Sequence, residues 1–307
     1  MKKIGLLYGI EKRFPETVLK LINSIGKGKV LAEPVKLGPS LVDAKSEYEL
    51  IFDLVSNEVP FYRSLLKHFA LNNIKIVNNP FFSSEDDEFL HNSVAKAQGL
   101  PVPKTVILPS KEHPYGTSSD TFQNLIYPVD WEKVFEYIGF PAMIKPNFFS
   151  ILHNSYKIYN KNEFFAAYNN TGNLPMVLQE FIQYDSYYRC FVIGKKETKI
   201  IDYNPLKPLH LRYNAESSSI SKELEKKIIE YSIKISTLFD FDFNAMEFAV
   251  KDEKLFIIDF LNQAPTVESN FLKEETFDWI VKTTANMLIE KAEQKEGSPN
   301  HIFAKKI

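Results

Sequence analysis

Two carboxylates in the last quarter of the chain have the residue types and spacing to do chemistry together. Glu247 lies in the apolar run NAMEFAV and Asp259 in KLFIIDF, with a polar turn at KDEK. Both runs read as strands. A hairpin centred on Glu253 sets Glu247 directly opposite Asp259, with Ala245, Ala249, Ile257 and Leu261 on the same face; Met246, Phe248, Val250, Phe256, Ile258 and Phe260 fill the other. Like charges facing each other across a ladder repel unless one protonates or a cation lies between them. A divalent ion resolves the conflict. Oxygen ligands suit Mg²⁺ or Mn²⁺, and Asn262 adds a neutral carbonyl oxygen just beyond the strand. Two solvated carboxylates would give the same pattern, so the rest of the chain must decide between these readings.

Lys145 ends the apolar run AMI and precedes Pro146, at a strand terminus from which an ammonium can meet a phosphate or solvent. Further on, VLQEFI places Glu180, Phe181 and Ile182 in a segment whose backbone can pair with an adenine edge while apolar side chains cover the ring. On the strand YYRCFVIG, Arg189 alternates with Tyr188 and Cys190, so Cys190 faces away from it and reads as buried filler.

The elements that must position these groups change character along the chain. Before residue 80, strands at Lys3 to Tyr8, Val30 to Leu37, Leu50 to Ser56 and Ile74 to Val77 alternate with helices at Pro15 to Ile25 and Phe61 to Leu71, the pattern of a small parallel α/β layer. A helix capped by Ser84, with Glu85 to Glu88 in its first turn, runs to Gln98 and stops at Gly99. A short helix from Trp131 to Tyr137 follows. Beyond Lys145, strands at SYKIY, PMVLQEFI, YYRCFVIG and TKIIDY precede a helix near Lys222 to Phe239, the carboxylate hairpin and a last helix over roughly 275 to 290. The fold class is therefore α/β, then α+β.

Composition removes several functions. Thirty-seven basic and 39 acidic residues leave a net charge of −2, and the charge clusters mix signs, so no nucleic-acid footprint or polybasic membrane patch is present. A single cysteine allows no internal disulfide, and the opening MKKIGLLYGIEKRF turns polar too soon for a signal peptide; a cytoplasmic protein is expected. HExxH, GxSxG and Walker-type loops are missing, which excludes the commonest zinc peptidases, serine hydrolases and P-loop enzymes. Only 11 of 307 residues are glycine, where an average composition would supply roughly 21, so a Gly-rich phosphate loop cannot be assumed.

The stations GLPVPKT, MIKP, VLQEFI, RCFVIG, LRYN, NAMEFAV and LFIIDFLNQAP, in this order, resemble the ATP-grasp superfamily, and within it the RimK-like glutamate ligases and the glutathione synthetase branch. The resemblance covers roughly residues 75 to 292 well and the earlier ones more loosely. It implies an N-terminal α/β domain over residues 1–80 and an ATP-grasp domain over 81–307. The latter would divide into a central subdomain at about 100–185 and a C-terminal one at about 186–300, with ATP between them. By position, Lys145 would bind the α/β-phosphates, Glu180, Phe181 and Ile182 would line the adenine, and Asp185 would meet the ribose. Arg189 would meet the γ-phosphate or an acyl phosphate, Arg212 and Asn214 would hold phosphate or substrate, and Glu247, Asp259 and Asn262 would hold two Mg²⁺ ions. The segment SNEVPFYRSLLKHFALNNIKIVNNPF resembles one in uncharacterised proteins of this branch, where Arg63 would contact a substrate anion.

The activity implied is ATP- and Mg²⁺-dependent joining of a small-molecule or peptide carboxylate to an amine or thiol through an acyl phosphate. Two alternatives stay open: an ATP-grasp kinase with a hydroxyl acceptor, and a nucleotide-binding protein without catalysis. Homo-oligomerisation is also left open; nucleic-acid and membrane partners are not expected. Three departures from the family pattern bear on this. The loop after Lys145, NFFSILHNS, contains no glycine; Asp87-Glu88 stands where a phosphate-binding lysine is expected; and Asn262 lies one residue later than usual after Asp259.

Overall fold

The computed structural model describes residues 1–82, 87–118, 120–121, 123–148, 155–213, 220–267 and 271–294. The chain forms two compact units, one of Met1–Ser84, Ser186–Phe248 and Asp259–Ile307, the other of Glu85–Asp185 and Ala249–Ile258.

The first unit opens with the alternating layer expected from the sequence. Strands β1 (Lys2–Leu7), β2 (Val30–Pro34), β3 (Leu50–Asp53) and β4 (Lys75–Val77) form a parallel sheet of order β2-β1-β3-β4. The helices between them are α1 (Arg13–Ile25) and α2 (Pro60–Leu71). Helix α2 starts on Pro60, whose missing amide costs nothing in a first turn, and packs Leu65, Leu66 and Phe69 against Leu7, Ile51 and Ile76. Phe14 of α1 packs with Phe52, and both rings meet Phe243. The Asn78 carboxamide then pairs with Phe243 as a backbone would, donating to its oxygen at 2.6 Å and accepting from its amide at 2.7 Å.

The later part of this unit is built on β9 (Ser186–Ile193), β10 (Glu197–Asp202) and β11 (Phe243–Lys251), which with β12 (Lys254–Asp259) give a sheet of order β10-β9-β11-β12. Helices α6 (Lys222–Leu238) and α7 (Glu274–Glu293) pack on β9. Tyr187, Arg189, Phe191 and Ile193 fall on one face of β9 and Tyr188, Cys190 and Val192 on the other, the period of two that a strand imposes.

In the second unit, β5 (Thr105–Leu108), β6 (Ala142–Pro146), β7 (Tyr156–Ile158) and β8 (Met176–Glu180) form an antiparallel sheet of order β5-β8-β6-β7. Helices α4 (Trp131–Ile138) and α5 (Lys161–Tyr168) cover one face, where Phe135, Phe164 and Tyr168 pack with Ala142, Ile144 and Leu178. Losing a ring such as Phe164 from this core would cost about 3–5 kcal/mol. Because Ala142 and Ile144 point into that core, Met143 and Lys145 emerge on the opposite face. Helix α3 (Glu88–Ala97) is capped by Asp87, whose side chain accepts from Leu90 N, rather than by Ser84, which lies outside the described residues. Gly99, at φ 73°, provides the left-handed residue that ends it.

Candidate active site

In the first unit the polar cluster forms around Arg189. Its residue is only 4% exposed, and its guanidinium carbon lies 5.8, 5.1 and 5.6 Å from the ring centres of Phe191, Tyr203 and Tyr213. Nη1 donates to the Tyr203 hydroxyl at 3.2 Å and lies 3.5 Å from Glu247 Oε1. Nε has no partner. Tyr187, two residues earlier on the same face of β9, donates its hydroxyl to Glu247 Oε2 at 2.7 Å. Burial, reinforced by the Glu247 and Asp259 charges, pushes the Tyr187 phenol well above its ordinary range. Burial likewise pushes Tyr213 up to about 12, against the opposing Arg189 charge. Both phenols are thus neutral donors at physiological pH.

The hairpin carrying the two carboxylates differs from the expected one. Its turn consists of Asp252 and Glu253, both at positive φ (48° and 61°), between the end of β11 at Lys251 and the start of β12 at Lys254. The turn is centred between these residues, not on Glu253, so a regular ladder does not set Glu247 directly opposite Asp259. At the far end the register has slipped: Ala245 N donates to Asn262 O at 3.1 Å, two residues beyond its regular partner. Asn244 absorbs the slip, donating from Nδ2 to Phe260 O at 2.9 Å and accepting from Asn262 N at 2.8 Å. The Asp259 charge adds to that of Glu247 in raising both the Tyr187 phenol and the Arg189 guanidinium.

In the second unit, Lys145 Nζ pairs with Glu88 Oε1 at 2.7 Å. The Asn147 carboxamide accepts from Phe89 N at 2.8 Å and donates to Asp87 Oδ1 at 3.0 Å, fastening the start of α3 to the end of β6. Glu180 N donates to Lys104 O at 2.9 Å, and Phe181 N to Pro141 O at 3.2 Å. Lys157 Nζ lies 3.6 Å from the centre of the Phe181 ring. The Ile182 amide bonds no described residue, and its side chain is buried.

The remaining expected residues fall as follows. Asp185 is spent on the hairpin, its amide donating to Val250 O at 2.8 Å and its Oδ2 accepting from Asp252 N at 2.9 Å, so a ribose would compete with these bonds. Arg212 donates from Nε to Lys207 O at 2.9 Å and from Nη1 to the Tyr203 hydroxyl at 3.4 Å, which makes Tyr203 a shared acceptor for two arginines. Asn214 lies outside the described residues, as does most of the loop after Phe148. Arg63 donates from Nε to Pro80 O at 3.2 Å. Sequence reasoning missed Tyr187, Tyr203, Asn244 and Asn147. Only Tyr187 carried a signal, its two-residue spacing from Arg189.

No family model matches the chain, and no curated protein matches it significantly. Solved structures do. A D-alanine–D-alanine ligase from Bacillus anthracis complexed with ATP aligns at TM-score 0.64 and 15% identity, covering 95% of this chain and 97% of that one. A RimK-domain ATP-grasp protein from Sphaerobacter thermophilus aligns at TM-score 0.66 and 13% identity, covering 95% and 100%. The ATP-grasp ligase PsnB, complexed with minimal precursor, Mg and ADP, aligns at TM-score 0.59 and 12% identity, covering 95% and 98%. The chain has the ATP-grasp fold.

The residues present fit the groups that this fold implies. Glu247, Asp259 and Asn262 offer only hard oxygen donors, the set Mg²⁺ prefers. Among the described residues no group of three or more His, Cys, Asp or Glu side chains is placed to hold a metal ion. Arg189 Nε is a buried donor without an acceptor among the described residues, and the Ile182 amide likewise bonds none of them. No described helix is long and apolar enough to cross a membrane.

Proposed function

We propose that this protein is an ATP- and Mg²⁺-dependent ligase that joins a small-molecule or peptide carboxylate to an amine or thiol. The observation that carries the reading is the buried Arg189 guanidinium paired with Glu247, in a chain of this fold, with the Asp259 charge also acting on it and Nε unpaired among the described residues. Glu247, Asp259 and Asn262 would hold Mg²⁺, which supplies charge neutralisation to the phosphates. Lys145 would donate to the α/β-phosphates, and the Glu180–Ile182 segment would take the adenine. Arg189 would face the transferring phosphoryl group, where a cation in a dry setting counts most. The substrate carboxylate would attack the γ-phosphorus with ADP leaving. An amine or thiol would then attack the acyl carbon of the resulting acyl phosphate, expelling phosphate and giving up a proton.

Thermal unfolding with and without Mg·ATP tests this on wild type and on the double variant Glu247→Gln, Asp259→Asn. Mg·ATP should raise the wild-type midpoint by several degrees and leave that of the variant in place. No shift in wild type, or an equal shift in the variant, would remove the metal-nucleotide assignment. Turnover then separates the reaction classes: a ligase releases ADP and phosphate only when both an acid and an amine or thiol are supplied.

A further inference from the structure

Glu88 stands where the family resemblance places a phosphate-binding lysine, and its surroundings show what the exchange does. Oε1 accepts from Lys145 Nζ at 2.7 Å and from Asn92 Nδ2 at 2.8 Å. The two charged side chains are only 23% and 25% exposed. Their backbones are fastened together as well, because Asn147 O accepts from Glu88 N at 2.9 Å while the Asn147 carboxamide holds Phe89 N and Asp87 Oδ1. Burial alone would raise the Glu88 carboxyl. The charge and hydrogen bond of Lys145, with Asn92 behind them, outweigh it and hold the carboxyl below its ordinary range. The pair is a constructed feature of β6 and α3, not a chance meeting of surface side chains.

The consequence is electrostatic. Two lysines would offer a phosphate two positive charges, whereas Lys145 with Glu88 offers none in sum, although the ammonium keeps further N–H donors. Metal-free ATP brings about four negative charges close to the Glu88 carboxylate, and its Mg²⁺ complex about half of that. We propose that Glu88 makes nucleotide binding conditional on the divalent cation, so that the phosphate subsite at Lys145 accepts the metal-bound nucleotide and discriminates against the free one. This rests on the nucleotide reading above and adds a selectivity that Lys145 alone would not have.

Calorimetric dissociation constants for ATP and for adenosine, each in Mg²⁺ and in EDTA, test it on wild type, Glu88→Gln and Glu88→Lys. Glu88→Gln keeps the size of the side chain and an acceptor for Asn92, and Glu88→Lys gives a second reading should the first variant melt early. Wild type should bind ATP far more tightly with Mg²⁺. Glu88→Gln should narrow the Mg²⁺-to-EDTA ratio by at least about tenfold and Glu88→Lys, which reverses the charge, by more, chiefly by gaining affinity in EDTA. Adenosine, which lacks the phosphates, should bind all three proteins equally. An unchanged ratio, weaker ATP binding under both conditions, or altered adenosine affinity overturns the proposal and leaves the nucleotide reading standing. If wild type binds neither ATP nor adenosine, both fall together.

Discussion

The Tyr187 hydroxyl donates to Oε2 of Glu247 at 2.7 Å. With Arg189 Nη1 3.5 Å from Oε1, one carboxylate of the candidate metal pair is gripped from both sides before any ligand arrives. A carboxylate has about four lone-pair positions, so these contacts orient Glu247 and still leave room for a cation. Because burial keeps Tyr187 protonated, the grip persists through neutral pH.

Replacing Tyr187 by Phe removes the grip and keeps the ring. Stability should fall by about 1–2 kcal/mol in urea unfolding, the usual cost of losing a buried bond to a charged acceptor. The Mg²⁺ concentration that half-saturates nucleotide binding should rise by about tenfold, as it does when the partner of a metal ligand is lost. An unchanged Mg²⁺ requirement would show that Glu247 does not hold the ion.

Asn244→Ala should cost more, about 2–3 kcal/mol, because it strands both Phe260 O and Asn262 N. It should also weaken Mg²⁺-dependent nucleotide binding without touching a ligand, since the Asn262 backbone loses its anchor. Asn244→Asp keeps the acceptor for Asn262 N and should recover part of both losses. Equal damage from Ala and Asp would argue that the bridge does not position Asn262.

Glu88 gives a pH dependence with a definite sign. Its folded carboxyl titrates below the ordinary glutamate value of about 4.3, so the unfolded chain binds more protons there. The stabilisation is complete above that value and is lost as pH falls through the folded one. Urea titrations of wild type and Glu88→Gln should therefore show a wild-type advantage at about pH 6.5 that shrinks by about pH 3.5. A difference independent of pH would contradict an ionised pair.

Cys190 should be chemically silent in the native protein. It is fully buried, and burial pushes its thiol up to about 12, so almost no thiolate exists at neutral pH. One thiol should react with a chromogenic disulfide only after denaturant is added. Fast labelling in native buffer would place Cys190 at an accessible surface instead.

What was legible in the sequence was what local periodicity encodes. Alternation of strands and amphipathic helices announced the parallel sheet of β1 to β4, and alternation within β9 put Arg189 and Cys190 on opposite faces. Short elements were harder to see. Helix α5 has only eight residues, yet Asn160 Oδ1 caps it by accepting from Glu163 N at 3.0 Å, and Glu163 Oε2 accepts from Tyr159 N, just before the cap, at 2.9 Å. The Asp87 cap of α3 is held by Asn147, a partner distant in the chain that no local pattern names.

By itself the sequence determined which residue types could meet ATP and Mg²⁺ and which elements would carry them, because side-chain chemistry and periods of two and 3.6 are local properties. Tertiary structure alone decided the partners. The Asn244 side chain bridged Phe260 and Asn262, and the fastening of α3 to β6 joined Glu88 to Lys145. Each depends on backbone groups far apart in sequence finding their hydrogen bonds, and no local pattern records that requirement.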